Sequence, residues 1–386
     1  MLTKTDLTET DLAEIRAFRH DLHRHPEVSG AESKTAARVL AHLAPTRPDH
    51  VLTGLGGHGV ALAYDMAAPG PTVMIRAELD ALPITELSEA PHASSLPGTG
   101  HLCGHDGHMA ILAATARLIR RHPPARGRVL LLFQPAEETG AGAAAVLADL
   151  AFGGVAPDWA LSLHNMPGLP RGAALLAEGP ANCASMGLRL SFGGKTAHAA
   201  QPETGLSPAT ALARLIPALT ALGPGGAMGP DFRLVTITHA RLGEPAFGIA
   251  PGEAELWATL RSRDDGPMAA LLAEATALAQ AAAEADGLTL EISHHDVFAA
   301  CANHPQATAV LEGAAQATGL ALRTDGLPFR ASEDFGRFAA LCPSAMLFLG
   351  AGEGHPALHN PDYDFPDALI AEGAALFDHA IRQILD

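Results

Sequence analysis

Three mostly apolar runs, broken only by Arg76 and Ser162 and set between segments of helical period, most constrain what this chain can fold into. VMIRA (73–77), VLLLF (129–133) and WALSL (159–163) are all of strand length. A strand without polar alternation is buried on both faces, and helices packed on both sides of a mostly parallel sheet provide that burial. MAILAATARLIRR (109–121) and AGAAAVLADL (141–150) carry the helical pattern between the runs. Residues Leu7 to Leu43 do so before them, with a break at Pro26. This alternation predicts an α/β fold.

The pattern changes near residue 182. CASMGLRLSFGG (183–194), FRLVTITHARLG (232–243) and EAELWATLRSR (253–263) alternate like half-exposed antiparallel strands. Helices are expected at 207–222 and 267–285, and LTLEISHH (288–295) closes the set. Strand, helix, strand, strand, helix, strand is the ferredoxin-like order. A second domain is therefore expected at 183–294, inserted into a first formed by 1–182 and 295–386. Helices at 304–318 and 367–385 return the chain to the first domain. A length of 386 residues exceeds what one hydrophobic core usually supports, in keeping with two domains.

Composition excludes several classes of function. The formal charge of −17 disfavours nucleic acid, because binding phosphates needs a surplus of Lys and Arg. No run approaches the roughly 20 apolar residues of a membrane span, so no membrane partner is expected. MLTKTDLTETDLAEIRAF at the N-terminus is polar and reads as a helix start rather than a secretory leader. Cys103, Cys183, Cys301 and Cys342 lack framework spacing and read as reduced thiols of a cytoplasmic protein.

The residues that carry chemistry fall where apolar runs end. Ligands collect beyond the carboxyl ends of strands in open α/β sheets. HLCGHDGH (101–108) is either a polar turn or half of a metal site; a thiolate and an imidazole at Cys-x-His spacing suit a borderline metal. Glu137 and Glu138 directly follow a buried strand, a costly placement unless something compensates the charge. His164 ends another strand, and GHPALHNPDYD (354–364) is a His-rich loop. Each alone is ordinarily a plain turn. Together they offer more ligands than one structural zinc takes, with a carboxylate to spare, as in a two-metal hydrolytic site.

RAELDALP (76–83), HLCGHDGH (101–108), FQPAEETGAGA (133–143), SLHN (162–165), GGKTAHAAQP (193–202), SEDF (332–335) and LHNPDYD (358–364) occur in that order. DLHRHPEVSGAE (21–32) precedes them. The series resembles the metal-dependent amidohydrolases that include hippurate hydrolase, N-acyl-amino-acid deacylases and plant auxin-conjugate hydrolases. The resemblance implies a mixed-sheet, zinc-aminopeptidase-like catalytic domain with the inserted ferredoxin-like α+β domain acting as a lid and mediating a homodimer. It implies Cys103, His105, Glu138, His164 and His359 as ligands of two divalent transition-metal ions (Zn, Mn, Co or Ni), with Cys103 bridging. It makes Glu137 the general acid/base, Asp80 an orienting residue behind the metals, and His198 the donor to the oxyanion. The substrate would be a small N-acyl amino acid.

Other residues have quieter readings. His108 is expected to pack on its helix, and His20, His23 and His25 to be structural. Glu333-Asp334 reads as a cleft-wall or helix-capping pair. Arg261 is a candidate for a substrate carboxylate, and His355 competes with His359 for ligand status. The chain departs from the family pattern at Gly248–Gly252, where relatives carry Asn-Val-Ile-Pro-Asp, at Glu203 and Ser207, and at Glu78, where many have Asp. These departures bear on specificity, not on reaction type. A dipeptidase or carboxypeptidase is the alternative on the same site. A non-catalytic small-molecule binding protein is the alternative of another class.

Overall fold

The computed structural model describes residues 6–386, so the first five residues of the polar N-terminal stretch lie outside the described residues. Helix α1 (Glu9–Arg24) is capped by Thr8, whose hydroxyl accepts from the Asp11 amide while the Asp11 carboxylate accepts from the Thr8 amide. The loop after Pro26 leads to α2 (Ser33–Leu43). Strands β1 (His50–Leu55) and β2 (Gly59–Asp65) form a hairpin ahead of β3 (Ala68–Glu78). Then come α3 (His105–Arg121), β4 (Arg126–Gln134), α4 (Gly142–Ala148), α5 (Leu150–Gly153), β5 (Trp159–Pro167), β6 (Ala173–Leu175) and β7 (Gly179–Asn182).

The middle of the chain holds β8 (Ala184–Gly193), β9 (Ala197–His198), α6 (Ala209–Leu222), β10 (Arg233–Leu242), β11 (Ile249–Ala250), β12 (Glu253–Ser262), α7 (Asp265–Ala285) and β13 (Thr289–Phe298). The antiparallel sheet runs β10-β12-β8-β13, the ferredoxin-like strand order. Its apolar face (Leu188, Leu190, Leu256, Leu260) packs on Leu212, Leu215, Leu271 and Ala275 of α6 and α7. The chain then forms β14 (Cys301–Asn303), α8 (Pro305–Thr318), β15 (Ala321–Arg323), β16 (Ser344–Gly352) and α9 (Leu369–Leu385).

The large mixed sheet runs β1-β2-β4-β3-β5-β16-β6-β15. Its centre, β4-β3-β5-β16, is parallel; Ile75 pairs with Leu131 on one side and Leu161 on the other. All three side chains are fully buried, which is why these strands show no polar alternation. Two compact units result. One comprises residues up to Ala181, Ala302–Leu327 and Asp334–Asp386; the other comprises Asn182–Cys301 and Pro328–Glu333. Among the described residues no helix is long and apolar enough to cross a membrane.

Helix α3 begins at His105, earlier than its apolar pattern. Gly104 turns the chain at φ +91°, and Gly107 meets the Phe365 ring so closely that a β-carbon there would lie 2.2 Å from it. These two glycines let the polar HDGH sequence form the first helical turn, which carries His105 to the carboxyl ends of β3, β4 and β5.

Candidate metal centre

The first unit brings six of the anticipated site residues, and Asp80 behind them, to one end of its parallel strands. Cys103, His105 and His164 each place one ligand atom within 4.8 Å of the others. Cys103, Glu138 and His359 form a second such group, and His105, Glu137 and Glu138 a third. The groups share Cys103, His105 and Glu138. Cys103 Sγ lies 3.4 Å from His164 Nε2; His105 Nε2 lies 3.8 Å from oxygens of both Glu137 and Glu138. His359 Nε2 is 3.7 Å from Glu138 Oε2. His359 adopts φ +66°, a left-handed conformation that a non-glycine residue holds only under surrounding constraint, and its amide donates to the Leu102 carbonyl at 2.7 Å.

The donor set fits metal ions. His105 Nδ1 donates to the Asp80 carbonyl at 2.7 Å, and His164 Nδ1 to the Asn165 carbonyl at 2.7 Å. A carbonyl only accepts, so Nδ1 carries the hydrogen in each ring and Nε2 of the neutral ring keeps its lone pair. Metal-bound histidines are oriented in this way by the outer ring nitrogen. His105 Nε2 is buried and has no hydrogen-bond partner, a state expensive for a polar atom unless a cation completes it. Burial, with repulsion from His108, pushes the His164 pKa down to about 3, so this ring stays neutral. Burial also lowers His359. For His105 burial is outweighed by the carboxylates of Glu78, Glu138 and Asp80, which raise it.

Buried polar groups support this cluster from behind. Asp80 Oδ2 accepts from the Glu138 amide at 3.0 Å and from the Ser29 hydroxyl at 2.7 Å, so Asp80 touches two of the candidate segments. Asn165 was not singled out from sequence. Its side-chain amide donates to the Cys103 carbonyl at 2.8 Å, and its oxygen accepts from Tyr363 at 2.5 Å. His108 does more than pack on its helix: its Nε2 accepts from the Asn165 backbone amide at 3.2 Å, and its Nδ1 donates to Glu78 at 2.6 Å. Glu78 is also paired with Arg76, and the Arg76 guanidinium lies among Asp334 at 2.7 Å and Gln134 at 3.0 Å. Asp334 also accepts from the Ala143 amide in the first turn of α4, which makes it a capping residue. His355 Nε2 donates to the Asp364 carbonyl at 2.7 Å and so is engaged away from the ligand groups.

His198 and Arg261 belong to the second unit. His198 is exposed on β9, which pairs with β11 through Ile249, and its Nδ1 accepts from the Ala200 amide at 3.0 Å. Arg261 donates to the Arg330 carbonyl at 2.8 Å and to the Ser332 hydroxyl at 3.0 Å, and burial lowers its pKa.

Residues 74–383 match the sequence profile of Peptidase family M20/M25/M40. N-acetyl-L-cysteine deacetylase of Bacillus subtilis is 29% identical over 380 residues, covering 97% of this chain and 88% of that protein. Hippurate hydrolase of Campylobacter jejuni is 28% identical over 366 residues, covering 94% of each. The fold is similar to that of a Bacillus subtilis dinuclear metal binding peptidase from the M20 family, with a TM-score of 0.81 and 26% identity over 98% of this chain and 99% of that one. The profile match, the near full-length relatives and the shared fold together show that this chain belongs to Peptidase family M20/M25/M40.

Proposed function

We propose that this chain is a metal-dependent amidohydrolase that cleaves the amide bond of N-acyl amino acids. The observation that carries the reading is the convergence of Cys103, His105, Glu138, His164 and His359 through overlapping groups, with Glu137 beside them. These five residues would hold two divalent transition-metal ions, with the Cys103 thiolate shared between them. Such ions polarise a carbonyl and acidify water. The chain's own residues do the rest. Glu137 accepts the proton of the attacking water and returns it to the amide nitrogen as the C–N bond breaks, giving a carboxylate and an amine. Asp80 fixes the His105 ring through its carbonyl and the Glu138 backbone through its carboxylate. The motif around His198 supports a role as donor to the oxyanion, and Arg261 is a candidate for binding the substrate carboxylate.

Cytoplasmic residence and a homodimer through the second unit belong to the same reading. They rest on the resemblance and, for the compartment, on four buried cysteines without the spacing of a disulfide framework. Sedimentation velocity tests the dimer.

The decisive experiment measures metal content and turnover together. Protein purified without chelator should hold about two transition-metal ions per chain and hydrolyse N-acetyl- or N-benzoyl-amino acids in preference to dipeptides. Glu137→Ala should keep the metal and lose turnover. Failure of reconstituted wild-type protein to bind metal and hydrolyse any of these amides rejects the reading in favour of a binding protein. Preference for dipeptides moves it to a peptidase.

A further inference from the structure

Glu32 is fully buried but lies outside the ligand set and takes no part in the proposed proton transfers. It sits where the loop after Pro26 enters α2. Its Oε1 accepts from the Gly30 amide at 2.8 Å and from the Ala136 amide at 2.9 Å, while its Oε2 is buried with no hydrogen-bond partner. Ala136 has φ +50°, the left-handed region, where a β-carbon crowds the following carbonyl. It directly precedes Glu137.

The rest of the turn is held by other bonds. The Ala136 carbonyl accepts from the Gly142 amide at 3.0 Å, and the Glu138 amide is held by Asp80, which also accepts from Ser29. One short loop, residues 29–32, therefore reaches both sides of Glu137: Glu32 before it, and Ser29 through Asp80 after it. Burial raises the Glu32 pKa, backbone amides oppose the rise, and the Asp80 charge adds to it. A neutral carboxyl still presents a carbonyl oxygen to Ala136, so glutamine is a close isostere.

We propose that Glu32 is a positioning residue for Glu137: its hydrogen bond holds Ala136 in the left-handed conformation that aims the Glu137 carboxylate at the reacting water. This rests on the assignment of Glu137 proposed above. Glu32 touches neither substrate nor metal in this scheme, so its loss should appear in kcat and leave KM and metal stoichiometry alone.

The test compares full-length, metal-loaded wild type with Glu32→Ala, Glu32→Gln and the double variant Glu32→Ala/Ala136→Gly, with Glu137→Ala as reference. Steady-state kinetics on an N-acetyl-amino acid, elemental analysis and melting temperature are measured for each. Glu32→Ala should lower kcat by about 10- to 100-fold, as a misplacement near 1 Å does, with unchanged KM and metal content. Glu32→Gln should stay within about threefold of wild type, because it keeps the acceptor. Glycine at 136 removes the β-carbon penalty and should recover roughly fivefold in the Glu32→Ala background. Should the alanine variant not fold, Glu32→Asp, which shortens the reach, takes its place with the same expected loss. Unchanged kcat in Glu32→Ala, equal losses in the Ala and Gln variants, or a loss that tracks lost metal overturns the proposal while the hydrolase assignment stands. A fully active Glu137→Ala removes the Glu137 assignment and this proposal with it, while the hydrolase assignment stands; an inactive wild type removes both.

Discussion

The side-chain amide of Asn165 holds the backbone carbonyl of Cys103 at 2.8 Å, tying the end of β5 to the segment that enters α3. The same residue accepts from Tyr363, four positions after His359 in the sequence, and lies next to His164. One buried amide thus connects three chain segments that carry proposed ligands. Asn165→Ala should weaken metal binding by about 10- to 100-fold, the usual effect of losing a group behind the ligands. Competition with a chelating dye measures it, and unchanged affinity would refute the role.

Gly104 has no spare room. At φ +91°, its added β-carbon would lie 2.3 Å from Asn165 Nδ2 and 2.7 Å from the Tyr363 hydroxyl. Gly104→Ala should cost about 2–3 kcal/mol from backbone strain and displaced hydrogen bonds together. Chemical denaturation reads the cost; a stability within 0.5 kcal/mol of wild type, roughly the effect of an ordinary surface substitution, would contradict the geometry.

His23 links folding to pH. Its Nδ1 lies 2.9 Å from Asp106 and its Nε2 3.1 Å from Glu86. Burial opposes its charge, but Asp106 and Glu86 together outweigh burial and raise the pKa from 6.5 to about 9. The folded state thus binds the proton more tightly than the unfolded state. The stabilisation is complete below pH 6.5 and is lost as pH rises through about 9. Melting temperature should fall across that interval, and His23→Gln should start lower and flatten the fall. Parallel pH series for the two proteins decide it.

A bridging thiolate would make the centre oxidisable. Peroxide treatment before metal loading should destroy the activity recovered on reconstitution faster than the same treatment destroys the activity of the loaded protein, because coordination occupies the Cys103 sulfur. Mass spectrometry should locate the added oxygen on Cys103. Equal inactivation of an active Cys103→Ser protein would place the damage elsewhere.

The central strands were legible because burial on both faces leaves mostly apolar runs without a polar alternation. The β1–β2 hairpin was not, because β1 is largely exposed and has no period to read. Strand β16 was also missed, although its run is apolar: glycines at 350 and 352 break the pattern. Among the site residues, those that end apolar runs could be recognised from position and residue type. Asn165, Glu78 and His108 could not, because a buried polar residue with satisfied partners looks the same in sequence as a surface one. Their partners are set by tertiary structure; Arg76 and Asp334, in the same network, are 258 positions apart. Glu32 was quoted within a motif, but its reach to Ala136 depends on how the loop after Pro26 docks against the ends of β3 and β4.

The sheet places β16 directly beside β5, although the whole second unit separates them along the chain. During synthesis, β5 leaves the ribosome long before the strand that covers its edge. Until residue 352 emerges, the nascent chain carries an apolar, unpaired strand edge, the kind that templates aggregation. A ribosome stalled within the second unit would therefore hold an aggregation-prone intermediate, and chaperone demand in the cell should rise in that window of translation.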